Sequence, residues 1–485
     1  MSFRHQRSGF LCLALSVLAG CPDRTIAEVQ PTQQGAVTKE IPVGADIDVL
    51  FVIDNSASTA DKQTIFATNF PKFVAALDAF PSGRPNLHIG VIDTTVDVGV
   101  QGYGPSCPSP DPGDNGLLQH TARVAGCAAP TGNFLSDVKD SNGTRVTNYT
   151  GTLDKALSCI AQVGTSGCGF EAQLEAMKRA LDGSRIENSG FIRKGAYLAV
   201  IFLTDEDDAS VKDNAVFSLP DTTVGGKNDY RVQPLFAYKC DTTISSSSGG
   251  TYSNCKPRLD SYLQDPGLYA QFLYSVKDPA QIVVAVIAAP PPGVSTNDVP
   301  PQTSNAPTVS VGPLQLGGNM QPLALQPSCM ATINGNPAIG RPAVRLADFA
   351  RNFGDRGRFY SICQGDYSAA LTDVGKTLFN AISPCLEGPV DPADADPSNP
   401  GTQLQCTVSD VTNAGGSGQT SALIPACKMS NATTPDPSGE RPCWWSDKNT
   451  TSCPAPDTGY ELNFVRSSPA PVGTIVDVQC AVTGL

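Results

Sequence analysis

The sequence predicts an α/β protein built on a doubly wound, mostly parallel sheet with disulfide-bearing loop insertions, plus a small β-rich, Cys-containing C-terminal module. Three observations point there. Unbroken apolar runs such as 49–53 and 197–203 do not alternate, the pattern of strands buried on both faces. Segments with a helical period stand between those runs, the order that gives parallel strands with right-handed crossovers. Around them lie Gly- and Pro-rich stretches carrying cysteines, and after Cys385 the composition changes altogether.

In chain order, Arg4 and Arg7 precede an apolar stretch over 10–19 that ends in Leu18, Ala19, Gly20 and Cys21. The stretch is too short to span a bilayer and has the make-up of a signal-peptide h-region. Its end resembles the lipobox of bacterial lipoproteins, whose cysteine is acylated; several acyl chains, at about 0.8 kcal/mol per buried CH₂, would anchor firmly. The competing reading is an ordinary secretory leader whose Cys21 joins a disulfide. Residues 1–20 are thus expected as a lipoprotein signal peptide and 21–44 as a polar tether. The expected location is the bacterial cell envelope, lipid-anchored at the outer membrane or cell surface.

Residues 45–384 carry the α/β pattern. The run 49–53 closes on Asp54, and 59–78 has helical spacing at Ile65, Phe66, Phe70, Phe73, Val74 and Leu77. A second strand is expected at 87–92, then a loop-like stretch over about 97–150. A helix follows at 171–181 and the strongest strand at 197–203. After a polar excursion come a buried strand at 281–288, a Pro-rich insertion at 290–326, a helix at 345–353, a short strand at 359–362 and a helix at 368–382. Residues 385–401 read as a linker and 402–485 as a disulfide-rich module, too small to hold without staples. In it, 474–480 alternates in part, like a half-buried strand.

Charged residues make up only 16% of the 485, and the formal net charge is −13. That excludes the basic surface a nucleic-acid partner would need and suits divalent cations. Sixteen cysteines indicate an oxidising, exported setting. Beyond Cys12 and Cys21, fourteen remain, an even set whose pairing sequence alone leaves open. Proximity suggests Cys107 with Cys127, Cys159 with Cys168, Cys240 with Cys255 and Cys329 with Cys363. With no C-x-x-C and three histidines, a structural zinc site is not expected.

The residues that carry chemistry begin at Asp54-Asn55-Ser56-Ala57-Ser58, a D-x-S-x-S directly after a buried strand and before a helix. In that setting it resembles the metal-ion-dependent adhesion site of von Willebrand factor A domains. The resemblance covers roughly 45–384 and implies that Asp54, Ser56 and Ser58 group around Mg²⁺, with Mn²⁺ or Ca²⁺ as alternatives. Hard cations take oxygen ligands, and serine hydroxyls bind one without adding charge. The cation then attracts a carboxylate of a protein partner. The family's second element, an Asp at the end of the central strand, matches Asp205; Glu206, Asp207 and Asp208 after it either help capture cations or form a solvated loop. The third element, a threonine before the middle helix, does not match. Thr165 is too early, and Glu171 either substitutes as an oxygen ligand or simply matches a helix dipole. The expected metal set is Asp54, Ser56, Ser58, Asp205 and Glu171, at the carboxyl edge of the strands where such sheets bind ligands.

The expected function is therefore a cell-envelope lipoprotein, anchored to the membrane by its lipid, that binds a protein through this cation and is not an enzyme. A metal-free structural scaffold is the alternative. A hydrolase is a remote one: there is no G-x-S-x-G, H-E-x-x-H or P-loop. His5 lies in the leader, His88 in a buried strand and His120 in a loop without a partner motif.

Overall fold

The structure, a computed structural model, describes residues 36–42, 46–80, 83–97, 115–140, 142–213, 237–245, 248–294, 307–316, 319–333, 336–412, 418–450, 453, 458–468, 470–471 and 474–483. Residues 1–35 lie outside it, and with them the expected signal peptide, Cys21 and most of the expected tether.

The largest sheet has seven strands. In chain order they are β2 (Asp46–Ile53), β3 (Asn86–Asp93), β4 (Leu135–Lys139), β5 (Arg145–Thr147), β6 (Tyr197–Leu203), β7 (Ile282–Ala288) and β8 (Gly357–Ser361), following a first strand β1 (Ala36–Pro42) that belongs elsewhere. Their spatial order is β8, β7, β6, β2, β3, β4, β5. The pairs β8–β7, β7–β6, β6–β2 and β2–β3 are parallel, while β3–β4 and β4–β5 are antiparallel. Alternate residues of each inner strand face opposite sides, and both sides are covered, which is why these strands carry no polar alternation. On one side Val49, Phe51 and Ile53 pack with α1 (Ala60–Asp78), α2 (Leu153–Ala161) and α6 (Ser368–Ile382). There Phe51 meets Phe66, Phe70 and Phe73 edge to face. On the other, Leu50 and Val52 pack with α3 (Gln173–Leu181), α4 (Pro266–Val276) and α5 (Val344–Arg351).

The expected fold class, a doubly wound and mostly parallel sheet, does not describe this molecule and is corrected. The largest sheet is mixed, and among the described residues six further sheets, all antiparallel, hold the other fifteen strands. The physical reason is antiparallel pairing, both of β4 and β5 beside β3 and of segments added outside the parallel strands. The inserted segments carry their own turns and close as hairpins, as in Cys329–Ile333 with Asn336–Gly340, rather than adding crossover strands. Part of the stretch expected as loop, over about 97–150, likewise forms the hairpin β4–β5. The helices α2 and α4 were not anticipated in the sequence either.

The terminal sheet joins distant parts of the chain. With β9 (Cys406–Thr412), β10 (Thr420–Leu423) and β13 (Thr474–Ala481), the order is β1, β13, β9, β10. Thus Ala36–Pro42, expected within the tether, is a strand paired along its whole length with β13. The expected linker is packed as well: Leu386 and Val390 are buried with Ile41, Trp444 and Val478. A hairpin of β11 (Cys443–Lys448) and β12 (Tyr460–Val465) completes the module.

Cys240 pairs with Cys255 and Cys329 with Cys363. Cys127 pairs with Cys159 instead of Cys107, so the two neighbour pairings expected around them are corrected. Cys168 is disulfide-bonded too, and Cys107 lies outside the described residues. In the terminal region Cys385–Cys453, Cys406–Cys480 and Cys427–Cys443 are joined.

Candidate functional site

Parallel register brings the acidic strand ends together. Ile53 lies opposite both Leu203 and Asp93, so Asp54, Thr204, Asp205 and Thr94 emerge along one edge from three adjacent strands. Asp54 is fully buried. Its Oδ1 accepts from the Ser56 amide at 2.8 Å and its Oδ2 from the Thr204 hydroxyl at 2.8 Å. The turn from β2 into α1 is held by Thr59 and Gln63, which both donate to the Asp54 carbonyl. That turn sets the two serines side by side: Ser56 Oγ lies 3.2 Å from Ser58 Oγ, and Ser58 Oγ donates to Asp205 Oδ1 at 3.1 Å. Burial, then the nearby Asp205, push Asp54 up to about 6.

Glu171 stands in the loop before α3 and is 1% exposed. Its Oε2 accepts from the Thr94 hydroxyl, while its Oε1 is buried with no hydrogen-bond partner. Burial, followed by Asp54 and Glu206, holds its carboxyl well above the usual range. The loop is seated tightly. Gly167 donates to the Asn55 carbonyl at 2.8 Å, and a Cβ at Gly167 would stand 2.1 Å from Asn55 Oδ1. Asn55 Oδ1 in turn accepts from Thr94 and Thr95. All five expected metal residues therefore line one edge. Ser58 is exposed and the other four are buried.

The three acids after Asp205 are buried rather than solvated. Asp207 accepts from the backbone amides of Arg345 and Leu346 at the start of α5, and burial pushes it up to about 6. Asp208 accepts from the Leu174 amide in the first turn of α3 and from the Arg345 guanidinium. Glu206 is paired with Arg341. Asp207 and Asp208 thus cap helices, and Glu206 and Asp208 are held in ion pairs.

Sequence reasoning missed Thr94, Asn55, Thr204 and above all Lys62. Lys62 lies in the first turn of α1, 3% exposed, with Nζ 2.6 Å from Asp205 Oδ2 and donating to the Ser58 carbonyl at 2.9 Å. In the sequence it is only a lysine four residues beyond the motif, with no local signal of its burial on Asp205. His88 sits at the far end of β3, with Nδ1 2.9 Å from the Phe191 carbonyl, away from the serines.

The residues suit a hard cation in part. Hydroxyls and carboxyl groups converge, and Glu171 Oε1 is a buried oxygen left without a hydrogen-bond partner. Among the described residues no group of three or more His, Cys, Asp or Glu side chains is gathered to hold a metal on those donors alone, so serine hydroxyls would have to complete the shell.

No family model matches the chain, and no curated protein matches it in sequence. Among solved structures, it is similar to the pilus adhesin SpaC from Lactobacillus rhamnosus GG in its open conformation, at 10% identity and a TM-score of 0.31. That match covers 91% of this chain and 39% of the other. It is also similar to the pilus adhesin RrgA from Streptococcus pneumoniae, at 10% identity and a TM-score of 0.21, covering 92% and 57%. The chain thus spans well under two thirds of either adhesin. Likeness at this level bears on neither the fold nor the function.

Proposed function

We propose that this chain is a cell-envelope protein that binds a protein partner through a divalent cation, Mg²⁺ before Mn²⁺ or Ca²⁺, and does no catalysis. One observation carries the reading: Ser58 and Asp205, 147 residues apart in sequence, meet beside Ser56 and Asp54. Ser56 and Ser58 would offer neutral oxygens to the ion. Asp54, Asp205 and Glu171 would hold its water and balance its charge, since Mg²⁺ retains part of its hydration. A cation so held keeps enough positive charge to attract a partner's carboxylate. The resemblance of the D-x-S-x-S turn to the adhesion site of von Willebrand factor A domains supports the same reading. Exposure of Ser58 on an otherwise buried cluster suits access from outside.

The envelope setting is supported by the disulfides, which persist in oxidising compartments. No helix among the described residues is long and apolar enough to cross a membrane. Attachment is proposed through acylation at Cys21, on the lipobox pattern.

A second reading is favoured by Lys62, whose ammonium already neutralises Asp205: a metal-free scaffold with an internal cation. Titration calorimetry of the full chain with Mg²⁺, Mn²⁺ and Ca²⁺, beside Asp54→Ala and Asp205→Ala, separates the two. Saturable binding that both variants lose while remaining folded supports the cation reading. A parent that binds none of the three ions leaves the scaffold.

A further inference from the structure

Lys62 is the feature of this edge that a hard-cation site does not need. Its ammonium is buried on Asp205 Oδ2 and on the Ser58 carbonyl, while Ser58 Oγ holds the other oxygen of the same carboxylate. Both oxygens of Asp205 thus have a partner without a metal. The other buried cations of the cluster are engaged elsewhere, Arg341 with Glu206 and Arg345 with Asp208. Lysine is a compact charge on a flexible four-carbon stem, without the rigid two-pronged grip of a guanidinium on a carboxylate.

We infer that Lys62 is a tethered cation that competes with a divalent metal for Asp205 and thereby sets the chain's metal affinity. This rests on the proposed cation site and adds the residue that tunes it. Ammonium and metal claim the same carboxylate charge, so occupancy by one opposes the other. Linkage makes that opposition a single coupling factor, typically about 5- to 150-fold between linked sites. The consequence is a site filled only when divalent ions are plentiful. Each ion that enters displaces a charge from Asp205, and the released ammonium adds to the positive field that a partner's carboxylate meets.

The test compares the full chain with Lys62→Met, Lys62→Gln and the double variant Lys62→Met/Asp205→Asn. Mg²⁺ and Mn²⁺ affinity is read by calorimetry, and melting temperature is read in chelator and in excess Mn²⁺. Lys62→Met is expected to bind Mn²⁺ about tenfold tighter than the parent. It should also melt below the parent in chelator, because Asp205 has lost its partner, and gain more from Mn²⁺. The double variant should lose the extra affinity. Should Lys62→Met fail to fold in chelator, Lys62→Gln, which keeps a donor for the Ser58 carbonyl, carries the comparison. Binding by the Lys62 variants but not the parent supports the competition and overturns the metal reading of the native chain. Equal affinity in parent and variants overturns the competition and leaves the metal reading standing. No binding by any of them overturns both.

Discussion

Arg345 shows how the acids of this edge are divided between structure and chemistry. Its guanidinium is fully buried, donating to Asp208 Oδ2 and to the Gln264 carbonyl. Replacing one partner of a buried ion pair leaves the other charge uncompensated, at about 3–5 kcal/mol. Arg345→Met is therefore expected to destabilise the chain by that order, read as a shift in the urea midpoint. Asp208→Asn should cost a similar amount, because it leaves the Arg345 guanidinium buried without its carboxylate, and a single amide oxygen cannot accept from both Leu174 and Arg345. Gly167 works on a different principle. A methyl there would stand 2.1 Å from Asn55 Oδ1, so Gly167→Ala must push the loop or the Asn55 amide aside. The expected result is weaker divalent binding with the core intact, checked by calorimetry beside near-ultraviolet circular dichroism. Asp54 and Asp205 were legible as candidate site residues because each follows an apolar run. Asn55, Thr94 and Lys62 were not, since their roles depend on which strand lies next to which.

Elements meet with buried charge at the opposite edge of the large sheet too. Lys277 caps the end of α4 and donates to the Arg193 and Lys194 carbonyls. Burial lowers it from 10.5 to about 8. The fold therefore holds fewer protons than the unfolded chain between about pH 8 and 10.5, so this group's contribution to stability rises with pH across that window. Urea unfolding at pH 7.5 and 10 should show the parent gaining stability relative to Lys277→Met, and an equal response of the two would refute the assignment. The helices α1 and α6 were readable from their spacing, and 368–382 agrees with the observed Ser368–Ile382. The hairpin β4–β5 was hidden in a Gly-, Pro- and Asp-rich stretch, where local composition reads as loop and pairing with β3 decides otherwise.

In the whole molecule the first and last described strands are paired. Ile41 of β1 is buried beside Trp444 and Val478 in the terminal module, so that module is incomplete without residues some 400 positions earlier. Ile41→Ala is expected to cost about 2–5 kcal/mol, seen as Trp fluorescence shifting to longer wavelength at a lower urea concentration. The module also holds three disulfides around a small core, whereas the large sheet is covered by apolar clusters on both faces. Since each staple contributes about 2–4 kcal/mol, reduction should unfold the module at lower denaturant than the sheet and split one transition into two. A reduced chain that still unfolds in one step would show that the staples add little to its stability.

By itself the sequence determined the buried strands, the long helices, the export-type cysteine content and the acid that closes each of two apolar runs. These are local properties: hydrophobic period, residue type and spacing hold wherever a segment is later placed. Only the tertiary structure decided that the sheet is mixed, that residues 36–42 pair with 474–481, that Cys127 joins Cys159, and that Asp207 and Asp208 cap helices rather than meet solvent. Pairing, register and burial depend on contacts between segments tens to hundreds of residues apart, and no single window of sequence contains both partners. Lys62 shows this most clearly. On its own it is a lysine in the first turn of a helix, and it becomes the partner of Asp205 only because β2 and β6 lie side by side.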